Sequence, residues 1–130
     1  MFTKEQIQQA QSTSKGGKDF PQLVQNFKAL GIVLYEHWVG NGANIYLGAD
    51  DHAVKIESGQ ALLNVSDDSS EEKLKHALKV RQSGQTDYPT FCLQSAGAGV
   101  EKWVTDISNL TVTYLDKKGN TLVLENIPTP

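Results

Sequence analysis

The chain has a single cysteine, Cys92, in 130 residues, so no internal disulfide can form and the fold must rest on its core, as in a reducing compartment. It has no apolar run approaching the roughly 20 residues that a bilayer-spanning helix needs. The start, Met1-Phe2-Thr3-Lys4-Glu5-Gln6, lacks an apolar signal region; the expectation is a cytoplasmic protein, neither exported nor membrane-embedded. Positive charge is scarce and scattered: 12 Lys and Arg stand against 15 Asp and Glu, for a net charge of −3. The longest positive run, Lys117-Lys118, sits beside Gly119-Asn120 and reads as a solvated turn. The footprint that a phosphate backbone requires is missing, which excludes nucleic acid as an expected partner.

What is present is enough for one globular domain spanning 1–130. An apolar share of 38% with ten aromatic residues can bury a single core without metals or crosslinks. A first helix opens at Thr3, with Gln6 placed to complete a capping box, and runs to about Ser14 before Gly16-Gly17. A second begins at Asp19-Phe20-Pro21 and carries Leu23, Val24, Phe27 and Leu30 at helical spacing as far as Gly31. Short strands follow over Ile32–Val39, Asn44–Gly48 and His52–Glu57, with Gly40-Asn41-Gly42 as a turn. Ala61–Val65 is either a further strand or an extended connector. The polar run Ser66–Ser70 leads into a helix over Glu71–Gln82, closed by Gly84. Another starts near Asp87-Tyr88-Pro89 and ends at Gly97-Ala98-Gly99, and three strands, Val100–Ile107, Leu110–Asp116 and Thr121–Ile127, complete the chain.

The second half can be laid on the first. Asp19-Phe20-Pro21 falls on Asp87-Tyr88-Pro89, a shift of 68 residues, and the same shift carries Gly31-Ile32 onto Gly99-Val100, Asn41 onto Asn109, and Tyr46-Leu47 onto Tyr114-Leu115. It continues through Val54 on Leu122, Ile56 on Leu124 and Glu57 on Glu125. Upstream the shift is 67, with Ile7 on Leu74, Ala10 on Ala77 and Gly17 on Gly84. Self-similarity at a fixed spacing is the mark of a repeated unit. The expected fold is therefore α+β: two tandem α-α-β-β-β repeats, about 3–65 and 69–128, forming antiparallel sheet with helices packed on it. The shared residues set helix starts, helix ends and strand faces, so the repetition itself implies no chemistry.

The residues able to do chemistry are unshared: His37 falls on Thr105, His52 on Asn120 and Cys92 on Val24. Gly97-Ala98-Gly99 follows a helix and precedes a strand, the reverse of the order that aims amides at a pyrophosphate, and reads as a helix end. Cys92 would need a base, for which His76 on the preceding helix is nearest in sequence; the alternative is a small buried hydrophobe. Glu36 and His37 are neighbours on a strand and point to opposite faces, so they cannot share a metal ion, and Asp50-Asp51-His52 reads as a turn. No catalytic, cofactor or metal set is expected. If a pocket exists it belongs at the junction of the repeats, with Tyr35, His37 and Trp103 as the candidates.

The run Gln85-Thr86-Asp87-Tyr88-Pro89-Thr90-Phe91-Cys92, followed by Ala96, Gly99-Val100, Trp103, Leu110-Thr111-Val112-Thr113-Tyr114 and Gly119, resembles the C-terminal half of the YbcV-like family of uncharacterised bacterial proteins, some labelled phage envelope proteins. The resemblance implies a shared fold, no known activity and, through the phage label, a prophage-derived origin. The reading that follows is a non-enzymatic binding or interaction protein, a possible homodimer or the partner of another protein. The alternative is a small-ligand binder or minor enzyme with its site at the repeat junction.

Overall fold

Capping side chains start three of the described helices, and a proline in the first turn marks the start of the other. The structure, a computed structural model, describes residues 1–13, 19–57, 59 and 62–129. Thr3 accepts the Gln6 amide while the Gln6 side chain returns to the Thr3 amide, which starts α1 (Lys4–Ser12), the reciprocal pairing of a capping box. The expected end of this helix at Ser14 and Gly16-Gly17 lies outside the described residues. Proline in its first turn and Gly31 at φ 96° bound α2 (Phe20–Leu30). Ser70 caps α3 (Glu71–Gln82), and Asp87 caps α4 (Tyr88–Gly97) by accepting the Thr90 amide at 2.8 Å. The strands are β1 (Ile32–Trp38), β2 (Asn44–Gly48), β3 (Ala53–Ile56), β4 (Val100–Asp106), β5 (Thr111–Asp116) and β6 (Thr121–Asn126).

All six form one antiparallel sheet in the order β3-β2-β1-β4-β5-β6, so the fold class is α+β, as expected. The sheet is a hairpin meander on each side of a central β1–β4 pair. Of the segment Ala61–Val65, the described residues 62–65 form an extended connector and no strand: the Leu63 amide bonds the Gly40 carbonyl, and farther on the Ser66 amide bonds Ala96.

Side-chain alternation sorts the sheet into two faces. On one, Tyr35 and Tyr46 stack at 5.2 Å and meet Phe27 of α2 edge-on, and Gln11 of α1 donates to the Tyr46 hydroxyl at 2.7 Å. On the same face Trp103 meets Phe91 of α4, and Gln82 of α3 donates to Glu125 of β6. All four helices therefore cover this inner face. In this layer Phe27, Leu74 and Phe91 are buried, and Leu23 and Leu30 are half-buried against the core.

The two hairpins share their registers closely. Leu34 opposes Leu47 and Tyr35 opposes Tyr46; 68 residues on, Lys102 opposes Leu115 and Trp103 opposes Tyr114. Even the irregularity after Ile32 recurs after Val100. The correspondence fails at the last strand. Val54 opposes Tyr46, but Val123 and not Leu122 opposes Tyr114, because β6 carries one extra residue between its pairings with Tyr114 and Leu115. A one-residue bulge turns every later side chain to the other face, which leaves Leu124 on the outer side, 56% exposed, where the uniform shift had paired it with the inward Ile56.

Candidate functional site

The central β1–β4 pair sets His37 opposite Trp103, and their rings stack at 4.4 Å with 23° between planes. Across the Gly40–Gly42 turn, His37 opposes Asn44 of β2, and Nδ1 lies 2.7 Å from the Asn44 Oδ1. From above, α4 lowers two side chains one turn apart. Cys92 Sγ lies 4.0 Å from His37 Nε2, and the Tyr88 hydroxyl lies 3.4 Å from Nδ1. With Asn44 accepting, Nδ1 carries the proton and Nε2 is free to accept from the thiol. The order thiol, imidazole, amide is that of a nucleophile, its base and the group that orients the base.

The surroundings work against that chemistry. Cys92 is 1% exposed and His37 3%. Burial pushes the thiol pKa up, with Tyr88 and Arg81 opposing it, and pushes the imidazole below its ordinary 6.5, with the Asn44 bond opposing that. Both shifts favour the neutral pair over thiolate and imidazolium. Tyr35 sits two residues along β1, opposite Thr105; burial drives its hydroxyl up to about 12, and it turns toward Phe27 and Tyr46.

Of the expected pocket residues, His37 and Trp103 are thus in contact, while Tyr35 belongs to the neighbouring aromatic cluster. The expected partner of Cys92, His76, is a correction: it is exposed on α3, in an open depression of about 420 Å³ with Glu72, Lys73 and Gln94, whereas His37 faces the thiol. Sequence reasoning missed Asn44 and Tyr88. The first was within reach, since folding a hairpin about Asn41 sets 37 against 44; the second needed the docking of α4. His52 bonds the Phe2 carbonyl at 2.8 Å, in the turn where Asp50 and Asp51 both have positive φ. Among the described residues no three His, Cys, Asp or Glu gather as a metal would require, and no helix is long and apolar enough to cross a membrane.

The second feature is the outer sheet face. Its middle holds Leu34, Leu47, Ile45, Trp38, Val104 and Leu115, each half-buried and none part of the helix-side core. The charges of the central pair lie among them: Glu36 bonds Lys102 at 3.0 Å, Lys102 lies 4.7 Å over the Trp38 ring, and Asp106 stands at the far end of β4. A family model described as a protein of unknown function, DUF1398, matches residues 8–126. The chain belongs to this family. It is 30% identical over 110 residues to the uncharacterized protein YcgX of Escherichia coli (strain K12), covering 85% of this chain and 82% of the relative. It is 28% identical over 98 residues to the uncharacterized proteins Mb2035 of Mycobacterium bovis (strain ATCC BAA-935 / AF2122/97) and Rv2012 of Mycobacterium tuberculosis (strain ATCC 25618 / H37Rv), spanning 73% of this chain and 58% of each relative. The family match and the relative YcgX bear out an uncharacterised small bacterial family.

Proposed function

We propose that this chain is a non-enzymatic interaction protein whose working surface is the outer face of its sheet, with a second copy as the partner that covers it. One observation carries the reading: among the described residues, four helices crowd one face of a six-stranded sheet and leave six large apolar side chains on the other. Sheets normally bury such a face against another layer. The reading accommodates a single domain over 1–130, a cytoplasmic location, and duplication of an α-α-β-β-β unit, for which the shared hairpin registers are the support. It also accommodates a YbcV-like, prophage-derived origin, supported by the resemblance centred on Gln85–Cys92. Sedimentation velocity over a concentration series tests it. The wild-type chain is expected to dimerise, and Val104→Arg, at the centre of the face, is expected to be a folded monomer. A wild-type monomer at every concentration, or an undisturbed Val104→Arg dimer, refutes it.

A second reading is favoured by the convergence of Cys92, His37, Asn44 and Tyr88 beside Trp103: a small-ligand binder or minor enzyme acting at the junction of the two halves, once α4 lifts. A thermal-shift panel of metabolites and metals tests it, because a ligand at 100 times its dissociation constant stabilises by about 2.7 kcal/mol. A reproducible shift lost in His37→Ala and Trp103→Ala would favour this reading over the first.

A further inference from the structure

The outer face is self-complementary about one particular axis, and we infer that two copies stack sheet on sheet about a twofold axis lying in the interface and running across the strands, which sets Lys102 of each copy against Asp106 of the other. The inference rests on the outer-face reading and adds its geometry. Its basis is the register. Along the outward positions of β4, Lys102, Val104 and Asp106 alternate with the inward Trp103 and Thr105; along β1, Leu34, Glu36 and Trp38 do the same. Val104 and Glu36 are cross-strand partners at the middle of the sheet, so an axis through them exchanges what lies on either side along each strand. Lys102 then meets Asp106, Leu34 meets Trp38, and Val104 meets its own copy.

The competing axis, parallel to the strands, exchanges β1 with β4. It sets Asp106 against Leu34 and Glu36 against Val104, burying carboxylates on apolar side chains with no new partner, which is costly. The cross-strand axis brings Glu36 toward its own copy, beside the Lys102 that each carboxylate already holds at 3.0 Å, and brings Lys55, in the same row on the edge strand β3, toward its own copy at the rim, where the exposed side chain keeps its water. Packed sheets rotate by about 30° from alignment, so a side chain one pleat from the axis, roughly 7 Å out, moves by only about 3–4 Å. A lysine spans that. Area is also in range. Five inter-strand gaps and strands of about six residues give a flat footprint of about 500 Å² before side-chain relief, the order of the roughly 800 Å² that each partner contributes to a standard interface.

The test uses charge reversal and mixing. Asp106→Lys sets four lysines in the two contacts, and Lys102→Asp sets four aspartates there, so each variant alone should dimerise at least about tenfold more weakly than wild type. Mixed in equal amounts, the two variants form a dimer with opposite charges in both contacts: the introduced lysine faces the introduced aspartate in one, and the native Lys102 faces the native Asp106 in the other. This mixed dimer should form at least about tenfold more tightly than either variant alone, though short of wild type, because Lys102→Asp also removes the partner of Glu36 in one copy. Asp106 also accepts from the Asn109 amide and side chain, so circular dichroism must show both variants folded. If Asp106→Lys does not fold, Asp106→Asn, which keeps the amide acceptor, should remove most of the salt dependence of dimerisation. Variants that stay dimeric alone, or monomers that do not recover on mixing, overturn this axis. A wild-type monomer, or a dimeric Val104→Arg, overturns the outer-face reading itself.

Discussion

The reactivity of Cys92 separates a sealed core from a working nucleophile. To reach the thiol, a reagent must wait for α4 to part from the sheet, which exposes Phe91, Cys92 and Ala96, all 5% exposed or less. Exposing one buried phenylalanine with two small neighbours costs about 3–4 kcal/mol, so the open state is populated to about 1 part in 10² to 10³ if opening is local. The raised thiol pKa slows the native state further. An aromatic disulfide at pH 8 should therefore label the native protein at least about 10²-fold more slowly than the same chain in urea. The sign of a second substitution sharpens the test. If His37 served as the base of an active thiol, His37→Ala would slow labelling; if it is a packed member of a sealed cluster stacked on Trp103, its removal leaves a gap under α4 and labelling quickens. Native labelling as fast as in urea, slowed by His37→Ala, would refute the sealed-cluster argument and move the balance to the second reading.

His37 also predicts a pH dependence. Its folded pKa lies below 6.5 because it is buried, so between that value and 6.5 the unfolded chain binds the extra proton; stability is full above about 6.5 and falls as pH drops through that window, by at most about 1.4 kcal/mol per pH unit. Urea midpoints measured from pH 7.5 to 5.5 should show this slope in wild type and a shallower one in His37→Gln; parallel profiles would refute it. In the core, Phe27 is fully buried and edge-on to both Tyr35 and Tyr46 at 5.5 and 5.6 Å, so Phe27→Ala should cost about 3–5 kcal/mol in urea unfolding, and a loss under about 1 kcal/mol would refute the placement of the core.

The parts of the fold that local chemistry dictates were legible in the sequence. Thr3 with Gln6, proline after Asp19 and Asp87, and glycine at Gly31 each fix a boundary through groups within four residues, and the helices start or stop where those groups stand. The pairing of Cys92 with His37, 55 residues away, depends on where α4 docks, and no local signal carries that; proximity in the sequence pointed to His76. The slip in β6 escaped for a similar reason. A bulge is a decision between two strands, and the residues Thr121–Asn126 read alone are equally good strand in either register.

The registers make the centre of the sheet the place where the molecule's two halves differ most usefully. Glu36 opposes Val104, and these positions are 68 apart, the same spacing that relates the two hairpins. A duplicated unit paired with itself about a twofold axis has to place one such pair at its centre, and this register supports that reading of the fold. The pairs on either side are then Tyr35 with Thr105 and His37 with Trp103, four inward positions of which 35 and 103, and 37 and 105, are 68 apart. The different residues at these positions make an asymmetric cluster on the inner face without disturbing the outer one, because strand alternation sends 35, 37, 103 and 105 inward and 36, 38, 102 and 104 outward. The two readings of function are therefore separable residue by residue along the same two strands. Substitution at an odd-numbered inward position should change Cys92 labelling and leave dimerisation intact, whereas substitution at an even-numbered outward position should do the reverse.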